Sequence, residues 1–175
     1  PRVAAKPYGL SVRTCAFETL ALCGAAFMLA GTLPADGSHF QRWDGALDKL
    51  GRILFAVSLV VFGTTHFLVL GFIAGLVPSW IPWHLFWACL TGAAFIAAGL
   101  SIVTKWMGRL GAALIGTMFL LWFFLLHAPR TLGLYAAGGG LHNPNEWSSA
   151  LIALGMWGGS WICAWALSTE GSHKQ

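Results

Sequence analysis

Charged residues are scarce in this 175-residue chain, where they make up 9% of the sequence against 57% apolar and 14% aromatic residues. A soluble domain carries about a quarter charged residues, so ten basic and six acidic side chains cannot cover a water-exposed surface of this size. The mean hydropathy of +0.71 also indicates a predominantly apolar chain. We therefore predict an integral membrane protein in contact with the lipid bilayer, and exclude a soluble enzyme, a disordered chain and a nucleic-acid-binding module.

Paired cysteines are missing as well. The four cysteines show no C-x-x-C spacing, and Cys15 and Cys23 lie eight residues apart, which is about 12 Å along a helix. That separation is too long for a disulfide bond or a shared metal ion, so a thiol–disulfide quinone reductase is excluded. We expect each cysteine to be a small buried apolar residue. The three histidines associated with spans, His66, His84 and His127, lack i, i+4 spacing and a nearby carboxylate on the same helix, so no metal site is predicted.

Long apolar runs are what the sequence does contain. A membrane-spanning helix needs about 20 apolar residues, and five such runs cover residues 16–33, 53–77, 83–103, 110–127 and 147–167. The pattern predicts an all-α membrane protein, a four-helix transmembrane bundle preceded by one extra N-terminal transmembrane helix. Its predicted parts are a basic segment with a retained signal-anchor helix (1–34), a polar, interfacial connector (35–52), the bundle (53–168) and a polar tail (169–175).

The distribution of Lys and Arg predicts the orientation of these spans. With five spans, four basic residues share the side of the N-terminus and six share the side of the C-terminus. Cytoplasmic segments carry the excess of basic residues. The C-terminus and the turn at 104–109 are therefore predicted to be cytoplasmic.

Ionisable residues within spans are costly and are functional candidates. His66 lies in the middle of the second span, His84 starts the third, His127 ends the fourth, and Glu18 lies near the start of the first. Three roles of the histidines are considered: a structural role, contact with a quinone in a pocket, and ligation of a haem by two histidines. The pattern argues against haem, because only one pair could lie at the same depth. Glu18 is interpreted as a polar or proton-carrying site, or as a group that interacts favourably with its helix dipole.

Polar residues also mark the ends of the spans. Asn143, Pro144 and Glu146 follow the pattern of a helix N-cap with a capping box. Arg130 is interpreted as binding lipid headgroups or holding the following loop. Trp80 and Trp147 lie where aromatic side chains meet the membrane interface.

Several of these segments resemble the DoxX-like family of small bacterial integral membrane proteins. The similar pieces are GRILFAVSLVVFGTTHF (51–67), LVPSWIPWHLFW (76–87), TGAAFIAAGLSI (91–102), LLHAPR (125–130) and NPNEWSSA (143–150), within about residues 51–168. The resemblance implies a four-helix bundle in the bacterial inner membrane. Some DoxX-type proteins are described as subunits of a terminal quinol oxidase or a thiosulfate:quinone oxidoreductase, which implies a link to membrane electron transfer.

The resemblance supplies no agreed catalytic residues, so none is predicted. Seven residues of the similar region are candidates for contact with quinone or another ligand: His66, His127, Arg130, Trp80, His84, Asn143 and Trp147.

Three functions remain open at this point. The favoured one is an accessory or structural subunit of a respiratory or photosynthetic electron-transfer complex, associated with quinone or lipid and with other membrane subunits. The second is a quinone-binding oxidoreductase subunit with a pocket near His66, His127 and Trp147. The third is a small transporter or lipid-binding protein, which the small number of polar groups within spans disfavours.

Overall fold

The computed structural model describes residues 8–33, 44–134, 141 and 143–172, with the side chains of 8–12, 44 and 170–172 outside the description. Four of the basic residues in the orientation count, Arg2, Lys6, Arg42 and Lys174, lie outside the described residues. Within that part of the chain all regular secondary structure is helical, which confirms the all-α prediction. The helices are α1 (Tyr8–Thr32), α2 (Asp44–Leu68), α3 (Leu70–Leu76), α4 (His84–Thr104), α5 (Gly108–Trp122), a π-helical turn (Phe123–His127), α6 (Ala128–Thr131) and α7 (Pro144–Ser172).

Four helices are long and apolar enough to cross a membrane, over Arg13–Thr32, His84–Thr104, Gly108–Thr131 and Pro144–Thr169. A fifth span results if α2 and α3 are counted together, although the two helices meet at an angle of 95°. Large apolar side chains such as Leu114 and Leu151 are more than half exposed on the outside of the bundle, as lipid-facing residues are. The protein is therefore a multi-pass membrane protein of helical type.

The helix boundaries correct three details of the sequence interpretation. α1 begins at Tyr8 rather than near residue 16, so part of the predicted basic segment is helical. The second apolar run is not one straight helix, because it breaks at Val69. The fourth does not stop at residue 127, because the helical path continues through the π-turn to Thr131.

Glycines allow the helices to approach each other closely. A Cβ atom on Gly24 of α1 would lie 2.6 Å from the carbonyl oxygen of Gly51 on α2. A Cβ atom on Gly63 of α2 would lie 2.5 Å from the carbonyl oxygen of Gly92 on α4. Membrane helices associate through such small residues because lipid offers no hydrophobic driving force between helices. α2 therefore packs between α1 and α4, at the centre of the bundle.

The first turns of α2 do not lie entirely at the membrane interface, as the predicted connector 35–52 would. Asp48 and Arg52 are buried and their side chains are 3.4 Å apart. Opposite charges one helical turn apart partly neutralise each other, which lowers the cost of burial. This end of α2 therefore belongs to the packed bundle.

Candidate ligand-binding site

The bundle contains a cavity of about 960 Å³, which we call the bundle cavity. Its lining comes from α1, α2, α3, α4, the segment from α5 through the π-turn, and α7. Ligand pockets in proteins measure roughly 300–1,000 Å³ and are mostly apolar with a few polar groups. His66 and His127, which the sequence identifies separately, both line this cavity.

The first wall of the cavity is shaped by the break between α2 and α3. Thr64, Thr65 and His66 each direct a side chain back to the carbonyl oxygen four residues earlier, at 2.8 Å in all three cases. Such back-bonding competes with regular helix geometry and bends helices. α2 ends two residues after His66, at Leu68, and the chain turns into α3. Irregular backbone at membrane depth is tolerated where it lines a cavity, and Val69 is among the lining residues.

A second irregularity, the π-turn at Phe123–His127, contributes another part of the wall. Pro129 lies two residues after the turn, and proline lacks a backbone N–H and clashes with the carbonyl group four residues earlier. The wider turn accommodates that clash without ending the helix. Single π-turns occur frequently at functional sites. Here the turn ends at His127, which lines the cavity.

His66 is held in one orientation by contacts on two sides. Its Nδ1 lies 2.8 Å from the carbonyl oxygen of Phe62, and its ring centre lies 5.1 Å from that of Phe95 on α4. Gly92 makes the second contact possible, because a Cβ atom there would lie 2.9 Å from the Cβ of His66. The imidazole is therefore a positioned group rather than a freely rotating one.

Aromatic rings form much of the remaining wall. Phe95 contacts Phe62 at 6.1 Å and Phe119 at 5.3 Å between ring centres. Trp87 and Trp122 contact each other edge to face at 6.5 Å. These separations are typical of favourable tilted ring pairs. The wall is suited to a flat, apolar ring.

Glu18 also lines the cavity, from α1. It lies ten residues after the helix start at Tyr8. The favourable effect of a helix dipole is confined to the first turn, so the interpretation of Glu18 as a helix-dipole partner is wrong. Its carboxylate is instead one of the few ionisable groups at the cavity surface.

Arg130 does not line the cavity but forms an ion pair with Glu146. Arg130 Nε and Nη2 donate to the two carboxylate oxygens of Glu146 at 3.0 and 2.7 Å. The two side chains are only 15% and 11% exposed. The hydroxyl group of Thr131 donates to the carbonyl oxygen of His127 at 2.9 Å and lies 3.3 Å from that of Glu146. These bonds join the segment after the π-turn to α7.

The other predicted site residues lie elsewhere. Asn143 caps α7, since its Oδ1 accepts from the backbone N–H of Asn145 at 3.0 Å, as its predicted N-cap role requires. Trp147 donates to the carbonyl oxygen of Leu141 at 3.0 Å and is 45% exposed. His84 borders a shallow surface depression beside Pro82 and Trp83, and Trp80 is exposed. None of these four lines the bundle cavity.

Trp87, Thr91 and Phe95 are among the cavity residues that the sequence interpretation missed. They recur every four residues along α4 and so share one face of that helix. This periodicity was available in the sequence, but in a span that is apolar on all sides it does not stand out.

In the part of the chain that the structure describes, no group of three or more His, Cys, Asp or Glu side chains could hold a metal ion. The chain matches no protein-family profile, no curated protein and no solved structure.

Proposed function

We propose that this chain is a membrane protein that binds a lipid-soluble ring compound of the quinone class in the bundle cavity. The observation that carries the proposal is the convergence of two intramembrane histidines, His66 and His127, on one cavity with aromatic walls. Aromatic rings hold a flat headgroup, and the imidazoles form hydrogen bonds with its oxygen-bearing groups. The proposed site keeps His66 and His127 from the predicted pocket and replaces Trp147 with Phe95 and Phe119.

The size and setting of the cavity support this class of ligand. A lipid-soluble ring reaches the cavity from the bilayer without crossing water. Burying two imidazoles among apolar residues has a cost unless they find hydrogen-bond partners. A ring that carries oxygen atoms supplies such partners, which a hydrocarbon chain does not.

Photolabelling tests the proposal. The protein is placed in lipid nanodiscs and irradiated with an azido-substituted short-tail quinone. We expect labelling within residues 62–77 and 118–127, suppressed by an excess of decylubiquinone. Thr91→Leu, which places a larger apolar side chain in the cavity wall, should lower the labelling several-fold, whereas Thr104→Leu at the exposed end of α4 should not. Labelling confined to outward-facing residues such as Leu114, or insensitive to competitor, would contradict the proposal.

A second proposal concerns the surroundings of the protein, which we propose to be a membrane electron-transfer complex of the bacterial inner membrane. The resemblance to DoxX-like proteins motivates it. One structural observation favours a partner helix: a Cβ atom on Gly71 or Gly75 of α3 would meet no described atom within 4 Å. A G-x-x-x-G face of this kind is typical of helix–helix contact in membranes.

Mild solubilisation tests this second proposal. Affinity purification of the tagged chain in digitonin should recover haem- or flavin-containing membrane subunits in constant proportion. Gly71→Leu should lower their recovery, and Gly158→Leu, on the open side of α7, should not. A chain that purifies without partners under these conditions would argue against it.

We also propose that the C-terminus and the turn between α4 and α5 face the cytoplasm. This proposal is supported by the count of basic residues, six on the side of the C-terminus and four on the side of the N-terminus. Lys105 and Arg109, both exposed near this turn, contribute two of the six.

A further inference from the structure

The hydrogen bond of His66 to its own helix fixes which nitrogen of the ring carries a proton. A carbonyl oxygen only accepts hydrogen bonds, so the contact of Nδ1 with the oxygen of Phe62 at 2.8 Å requires a proton on Nδ1. A neutral imidazole has a single ring proton. In the neutral form of His66, therefore, Nε2 carries a lone pair and can only accept.

The surroundings of His66 favour that neutral form. The ring packs against Phe95, and no ion pair joins it to a carboxylate among the described residues, although Glu18 lines the same cavity. A charged imidazolium without a paired anion is costly at membrane depth. Within the described chain Nε2 has no hydrogen-bond partner, so it is the atom left for a ligand.

His127 differs from His66 in this respect. Its imidazole makes no hydrogen bond with the described residues, so its ring proton can lie on either nitrogen. His127 therefore accepts from a hydroxyl group or donates to a carbonyl group equally well. His66 is therefore the residue that discriminates between a hydroxyl group and a carbonyl group of the ligand.

We infer that the bundle cavity selects the hydroxyl form of its ring ligand, a hydroquinone or other aromatic alcohol, over the corresponding carbonyl form. This inference rests on the proposed function and adds the oxidation state of the ligand. A ring hydroxyl donates to Nε2 of His66, whereas a quinone oxygen would face a lone pair with no proton between them. Two hydrogen-bond acceptors, Nε2 and the quinone oxygen, would then face each other in an apolar cavity, which is unfavourable.

A matched ligand series tests the inference. A decyl-substituted hydroquinone, its dimethyl ether and the corresponding quinone share the ring and the tail and differ only in the groups that meet His66. Binding to the protein in nanodiscs is measured by equilibrium dialysis, without oxygen and with a reductant present for the hydroquinone. We expect the hydroquinone to bind roughly tenfold more tightly than the other two, which corresponds to about 1.4 kcal/mol.

His66→Phe should reduce that ratio to near one, because it keeps a ring but removes the acceptor. His84→Phe is the matched control, since His84 lies outside the cavity, and should keep the wild-type ratio. If His66→Phe does not fold, His66→Gln replaces it: an amide can donate or accept, so the ratio should again narrow. Nitrogen NMR of labelled wild-type protein should find Nδ1 protonated and Nε2 bare.

The outcomes separate this inference from the proposed function. Quinone binding that equals or exceeds hydroquinone binding, or a protonated Nε2, overturns the inference and leaves the ring-binding cavity standing. A ratio that persists in a folded His66→Phe protein also overturns it. No binding of any of the three compounds removes both the inference and the proposed function.

Discussion

At the scale of single residues, the polar groups of the bundle serve two purposes. Some side chains bond to their own helix, as Thr65 and His66 do, and so shape the cavity. Others bond across helices, as Arg130 and Glu146 do over a sequence separation of 16 residues. The sequence identified His66 and His127 because ionisable residues are rare in apolar runs. It could not pair Arg130 with Glu146, because that contact depends on how the segment between them returns α7 to the bundle.

The Arg130–Glu146 pair gives the first prediction. Arg130→Met should destabilise the protein by about 3 kcal/mol, because the Glu146 carboxylate would be left buried without its main counter-charge. The double variant Arg130→Met/Glu146→Leu should recover most of that loss, since neither charge then remains. Unfolding by SDS titration from mixed micelles measures the difference.

The exposed Arg109, near the start of α5, provides the control, and Arg109→Met should change the stability little. If the double variant is no more stable than Arg130→Met, the pair acts through packing of the long side chains rather than through charge. The described interaction would then have to be reassigned.

At the scale of the helices, hydropathy predicted how many apolar segments exist but not their shape. Hydropathy reports the length of an apolar run, whereas a break or a π-turn leaves its composition unchanged. The break at Val69 nevertheless has a local signal, the consecutive back-bonding side chains of Thr64, Thr65 and His66. The π-turn has one too, in Pro129, which lies two residues after the predicted end of the fourth run. The signal of Pro129 is interpreted correctly only when the helix is known to continue beyond its predicted end.

Close helix approach gives the second prediction. Gly24→Ala should destabilise the protein by roughly 1–3 kcal/mol, the usual cost of overpacking, because the new methyl group would lie 2.6 Å from the Gly51 carbonyl oxygen and 2.9 Å from the Phe55 nitrogen. Gly158→Ala on α7 meets no described atom within 4 Å. It should be neutral or stabilising by up to about 1 kcal/mol, since alanine favours helix more than glycine does.

Thermal unfolding of both variants in the same detergent measures this contrast. The two substitutions are chemically identical and both lie within apolar helices, so a general effect of added volume would move them together. Equal stability of the two variants would show that α1 and α2 do not approach as closely as described.

At the scale of the whole molecule, α2 and α3 together follow one of two paths: they cross the membrane once, or they form a re-entrant segment. Counted as one span, they give five crossings and place the two ends of the chain on opposite sides of the membrane. Counted as a re-entrant segment, they return the chain to the side from which it came. The 95° bend is compatible in shape with either path, and composition alone predicted the spanning one, because it recognised only an apolar run of sufficient length.

Cysteine labelling distinguishes the two paths and gives the third prediction. In a chain whose four native cysteines are replaced by alanine, Gly45→Cys lies in the first turn of α2, Ser79→Cys lies in the turn after α3, and Trp106→Cys lies in the turn after α4. All three positions are exposed. A membrane-impermeant maleimide added to intact spheroplasts should label Ser79→Cys, and should label the other two only after permeabilisation. This pattern follows from one crossing by α2 with α3, one crossing by α4, and the cytoplasmic side assigned by the basic residues. Labelling of Gly45→Cys and Ser79→Cys from the same side would establish the re-entrant path. If Gly45→Cys and Trp106→Cys were labelled in intact spheroplasts and Ser79→Cys only after permeabilisation, the chain would have five spans in the reverse orientation.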